Sequence, residues 1–102
     1  MRIVAYVPDL MDRSKVAAAG EVTFVGQPSA LIEAAAGADV VVVDLTRPGV
    51  LEAVASVAGG TRVIGFANHT ERELMEAARA AGCGSVLARS AFFARLRELL
   101  DD

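Results

Sequence analysis

Three observations in the sequence predict an α/β domain of three layers, with a five-stranded parallel sheet held between helices. Short apolar segments alternate with longer segments of helical spacing, five times along the chain. The apolar segments are continuous runs, above all the four valines Val40 to Val43. Such runs mark strands covered on both faces, where in–out alternation would mark a sheet with one wet face. Glycines at positions 20, 37, 59, 60 and 82 stop the helical segments at similar intervals. A closed barrel needs eight such units, and 102 residues are too few. An open sheet remains. Right-handed crossovers place helices on both of its faces, and the expected strand order is 2-1-3-4-5, the flavodoxin-like (βα)5 arrangement.

Each element has its own local signal. Residues 2–7, "RIVAYV", form an apolar first strand. The helix that follows has Asp9 near its N-cap and Gly20 just past its end. "EVTFVG" is the second strand, and the second helix has Pro28 in its first turn and Gly37 after its last. "DVVVVDL" is the third strand, followed by a helix opened by Pro48 and closed by Gly59 and Gly60. "TRVIGFA" is the fourth. Thr70 and Glu73 stand in capping-box spacing at the start of the fourth helix. "SVLAR" is a short fifth strand, and "SAFFARLRELL" is one closing helix with Ser90 as its N-cap.

Composition narrows the role. The chain is read as one domain, residues 1–102, and its 54% apolar content fills a core without staples. No apolar run approaches the roughly 20 residues of a membrane span. The N-terminus has no long apolar region with a cleavage site, so it reads as a strand and not a signal peptide. One cysteine, Cys83, rules out an internal disulfide and suits a reducing cytoplasm. The net charge of −3 comes with no basic stripe, so a nucleic-acid partner is not expected.

In such a sheet the strand C-termini share one edge, and ligands bind there. That edge collects Pro8 and Asp9, Gly26 and Gln27, Asp44 to Arg47, Ala67 to His69, and Arg89 with Ser90. Cys83 lies on the opposite edge and reads as a small buried residue. Asp44 is the outstanding feature, a carboxylate at the tip of the most apolar strand. The edge loops contain no cysteine phosphate loop, no glycine-rich phosphate cradle and no Asp-x-His-x-x-Gly motif. No enzyme activity is therefore expected.

The stretches "DVVVVDLTRPG", "TRVIGFANH" and "AAGCGSVLARSAFFARLRELL" resemble the third strand, the fourth strand, and the fifth strand and helix of response-regulator receiver domains. The resemblance covers the whole chain and places Asp44 at the phospho-acceptor position, with Leu45, Pro48 and Gly49 in the family's pattern. It implies two acidic residues after the first strand that bind Mg²⁺, a hydroxyl after the fourth strand and a Lys after the fifth. Here those positions fall on Val7 and Pro8, on Ala67 and on Arg89, and Asp9 is the acidic residue nearby. The chain therefore looks like a degenerate receiver, a pseudo-receiver. The expected function is a stand-alone signalling domain that binds a kinase, a regulator or itself, without cofactor and without efficient phosphorylation. The alternative is a conventional phospho-accepting receiver in a two-component phosphorelay, with Asp44 as acceptor and Mg²⁺ bound.

The rim of the former site then comprises Asp9, Asn68, His69 and Arg89. Two arrangements are open for Asp44. It pairs with Arg89, whose fork suits a carboxylate, or it accepts backbone N–H bonds while Arg89 points to solvent. His69, the single histidine, is a metal ligand only if a second ligand stands at the right spacing. Phe92, Phe93 and Leu96 are the candidate interface, since in receivers the face of helix 4, strand 5 and helix 5 commonly forms homodimers.

Overall fold

The computed structural model describes residues 1–57 and 59–101. Five strands, β1 (Ile3–Tyr6), β2 (Val22–Phe24), β3 (Val40–Asp44), β4 (Arg62–Ala67) and β5 (Ser85–Ala88), alternate with helices α1 (Leu10–Ala18), α2 (Ala30–Ala34), α3 (Val50–Val57) and α4 (Arg72–Ala80). The chain closes with α5 (Arg89–Ala94) and α6 (Leu96–Leu100). All strand pairings are parallel, and the order is β2-β1-β3-β4-β5. The fold is the flavodoxin-like one predicted.

Burial explains the valine run. Every residue of β3 is buried, so its side chains alternate between two cores and not between core and water. Val41 and Val43 face α2, α3 and α4, joining Leu31, Val50, Val54 and Ala78. Val40 and Val42 face α1, α5 and α6, joining Val16, Phe92, Leu96 and Leu99. Phe66 of β4 stacks on Phe92 with ring centroids 4.7 Å apart, and Phe93 packs edge-on against both. The face carrying α1, α5 and α6 is also the one toward which Asp44 points, being in phase with Val40 and Val42.

Several local expectations change. Pro28 and Pro48 stand in the turns ahead of α2 and α3, not inside them. Gly49 adopts φ 83°, a left-handed conformation that holds α3 back until Val50. The Thr70–Glu73 capping box does not form. A turn closed by the Glu71 N–H on the Asn68 carbonyl (2.9 Å) delays α4 to Arg72, and the Glu71 carboxylate instead accepts the Asn68 N–H at 3.2 Å. Ser90 is not an N-cap, because α5 begins one residue earlier, directly from β5. The single closing helix is two, broken at Arg95 (φ −112°, ψ 16°). The break lets Leu96, Leu99 and Leu100 all turn inward. Cys83 lies buried ahead of β5, its thiol near the Val63 and Ser85 carbonyls, and burial raises its pKa. No helix among the described residues is long and apolar enough to cross a membrane.

Candidate functional site

The strand order brings the C-terminal ends of β1, β3, β4 and β5 side by side, and the sheet edge there carries an ionic cluster. Asp9 caps α1 from the end of β1. Its backbone is extended, and its Oδ1 accepts the N–H groups of Met11 and Asp12, each at 3.0 Å. The Asp12 N–H is the main cause that holds the Asp9 carboxyl below the usual range. The Met11 N–H and the charges of Arg89 and Arg47 act in the same direction, against a smaller opposing desolvation.

Asp12, in the first turn of α1, is buried at 3% exposure. Burial of a carboxylate requires a partner, and Arg89 supplies it. The first residue of α5 sends its guanidinium across to α1, where Nη1 and Nη2 donate to the two Asp12 oxygens at 2.7 and 2.5 Å. The residues are 77 positions apart in sequence. Their meeting follows from topology, since α1 and α5 flank the same face of the sheet. The guanidinium also stands 5.5 Å from the Phe66 ring and 5.3 Å from Phe93. The hydrogen bonds that Arg89 donates to Asp12 hold its pKa above the ordinary value, with the charges of Asp12, Asp44 and Asp9 adding to the effect.

Asp44 is equally buried, at 3% exposure, and its partners come from its own turn. Oδ1 accepts the Thr46 N–H at 3.0 Å and the Thr46 hydroxyl at 2.6 Å, and Oδ2 accepts from Arg47 Nε at 3.4 Å. The direct Asp44–Arg89 pair is therefore corrected. Arg89 is an ion-pair residue of this edge, but its partner is Asp12, because α5 lies beside α1 and Arg47 sits nearer Asp44. The other arrangement is met in one half only: Asp44 accepts a backbone N–H, while Arg89 is not turned to solvent.

Asn68 and His69 are exposed on the loop after β4, and among the described residues their side chains make no hydrogen bond to the cluster. Phe92 and Leu96 are withdrawn as surface candidates, being 0% and 7% exposed within the core. Phe93 remains half-buried, turned toward α1 with Lys15 Nζ 5.0 Å from its ring centroid. Asp12 is the residue that sequence reasoning missed. Its signal was the Asp9-x-x-Asp12 spacing, which puts a second carboxylate one helical turn from the cap and on the cap's side.

A divalent cation fits this donor set poorly. Mg²⁺ demands oxygen ligands in near-octahedral geometry. Both Asp12 oxygens already hold Arg89, both Asp44 oxygens hold Thr46 and Arg47, and Asp9 Oδ1 holds the helix cap. Among the described residues no buried side-chain oxygen lacks a partner, and no group of three candidate ligands converges. Two arginines pair with Asp12 and Asp44, and Asp9 is held by backbone N–H groups.

No family model and no curated protein matches the sequence. Solved structures do match in fold. A response regulator from Hahella chejuensis superposes with a TM-score of 0.82 at 16% identity, covering 98% of this chain and 92% of that one. The signal receiver domain of the response regulator NarL from Mycobacterium tuberculosis gives 0.77 at 24% identity, covering 98% and 93%. A CpaE pilus assembly protein from Burkholderia thailandensis gives 0.68 at 16% identity, covering 100% and 99%. The fold is thus that of response-regulator receiver domains, and proteins described by pilus assembly share it.

Proposed function

We propose that the chain is a receiver-fold signalling domain that works by protein–protein contact, in which Asp44 is not efficiently phosphorylated. The observation that carries this reading is the Arg89 fork on Asp12. Phosphoryl transfer depends on positioning and on neutralising charge at the acceptor. Here the neutralising charge is covalently part of the chain and already committed to carboxylates, and Asp44 is bound into its own turn. The arrangement favours one fixed state of the edge over a state that an incoming phosphoryl group creates. The receiver fold of the structural neighbours supports a signalling role.

The partner in this reading is a protein: a kinase, a regulator or a second copy. For self-association across α4, β5 and α5, the chain offers the half-buried edge strand β5. No cofactor takes part. A lone buried thiol suits a reducing compartment, and the reading takes the cytoplasm as the setting of the domain.

The test is incubation with Mg²⁺ and acetyl phosphate, followed by intact-mass measurement, with a parallel melting curve in Mg²⁺ and beryllofluoride. The expected outcome is an unchanged mass and an unchanged Tm. A mass gain lost in Asp44→Asn would overturn the reading in favour of a phospho-accepting receiver in a phosphorelay.

A further inference from the structure

The face that holds α1, α5 and α6 is not closed over its whole length. Lys15 and Ala18 of α1 and its C-cap Ala19 stand opposite Phe93, Ala94 and Arg97 across an open groove of about 520 Å³. Alanines on both walls leave the gap, and the half-buried Phe93 ring gives it an apolar floor. Met11, one helical turn before Lys15, is 74% exposed and continues the apolar surface along α1.

The charge on this groove runs against that of the molecule. The chain carries −3 overall, yet the groove is lined by Lys15, Arg95 and Arg97 against the single carboxylate Glu98. Glu98 is occupied by Arg95 at 3.5 Å. Among the described residues, Lys15 and Arg97 make no ion pair. Cations without a carboxylate partner beside an apolar floor, with Lys15 held over the Phe93 ring at 5.0 Å, select an occupant that is apolar on one side and acidic at its borders. A second copy placing this same face against itself would set like charges together, and a two-fold contact requires that self-complementarity. The groove between α2 and α3, which exposes Ile32, has Glu52 as its one charged residue and offers no such selection.

We propose that the α1/α5–α6 groove docks an acidic amphipathic helix of a partner protein, its leucines entering between the alanines and its glutamates meeting Lys15 and Arg97. The proposal rests on the contact-module reading above and names the surface and the partner chemistry for it.

The test titrates the isotope-labelled full chain with a synthetic helical peptide bearing a leucine stripe and a glutamate face. The same peptide with lysine at each glutamate serves as the control. The glutamate peptide is expected to shift the amide signals of Ala18, Phe93 and Ala94, more weakly as salt rises. In Lys15→Gln/Arg97→Gln, whose exposed side chains leave the fold intact, its affinity drops by about tenfold. Equal binding of the two peptides, or no shift at all, overturns the proposal. Concentration-dependent shifts of the same signals without peptide overturn it in favour of a second copy. Shifts at Ile32 and Glu52 sink the groove while leaving the contact-module reading intact, whereas failure of that reading registers separately as phosphoryl gain on Asp44.

Discussion

Arg89 and Asp12 are unequal partners, and the inequality is measurable. The Arg89 side chain is 38% exposed, while that of Asp12 is 4%. Removing either leaves the other without its fork, but water can reach the guanidinium and cannot easily reach the carboxylate. Breaking a fully buried pair costs roughly 3–5 kcal/mol, and exposed pairs contribute about 0–1. Arg89→Ala is therefore expected to destabilise by about 1–2 kcal/mol, between those limits. Asp12→Asn should cost less, since it strands only the hydrated partner. Arg89→Lys should recover part of the loss, keeping the charge without the bidentate geometry. Urea unfolding of the three variants checks the order. Equal losses for Arg89→Ala and Asp12→Asn would mean that Asp12 reaches water in solution.

At the scale of elements, the position of Asp44 depends on how β3 and β4 fit together. Asp44 is opposite Phe66 in the register, and its neighbour Leu45 lies over Gly65. A Cβ built on Gly65 would meet Leu45 Cγ and Cδ1 at 2.8 Å, closer than carbon atoms pack. Leu45 is buried, so its side chain has no open space to move into. Gly65→Ala gains about 0.5–1 kcal/mol of backbone preference in a strand but forces an overpacked contact costing about 1–3. The net expectation is a loss of about 1 kcal/mol together with shifted amide signals for Asp44 and Thr46. Leu45→Ala in the same chain should relieve the clash, and a double-mutant cycle measures that coupling. Persistence of the full loss in the double variant would show that Leu45 is not the obstacle. Nothing in the sequence singled out Gly65 within its apolar strand, whereas β3 and the stops after α1, α2 and α4 were legible. Helix starts were less legible. The capping-box pattern at Thr70 was overruled by a turn whose closing bond lies between Asn68 and Glu71, and the break at Arg95 follows from the burial of three leucines against a sheet assembled from distant parts of the chain. The Asp12–Arg89 pair was hidden for the same reason. Both residues were visible, but the topological consequence that α1 and α5 share a face was needed to join them.

For the whole molecule, the two cores share β1, β3, β4 and β5 of the central sheet, and this dictates how it unfolds. Val40 and Val42 on one side and Val41 and Val43 on the other belong to one β3, so losing either helical layer exposes the strand to water and removes the basis of the other. Small domains of this size commonly unfold in one cooperative step. The chain carries a reporter for the question. Tyr6 is its one tyrosine, there is no tryptophan, and Tyr6 lies in the core on the α2, α3 and α4 side. Phe92 lies in the opposite core, stacked on Phe66. Phe92→Leu keeps an apolar side chain there but gives up the ring pair, an expected loss of about 1–2 kcal/mol. If the sheet couples the layers, the urea midpoint read from Tyr6 fluorescence falls by the same amount as the midpoint read from far-UV circular dichroism, although the substitution is on the far side of the sheet from the tyrosine. A Tyr6 midpoint that stays in place while the dichroism midpoint falls would mean that the α1, α5 and α6 layer opens independently, and with it the Arg89–Asp12 contact on which the fixed state of the edge depends.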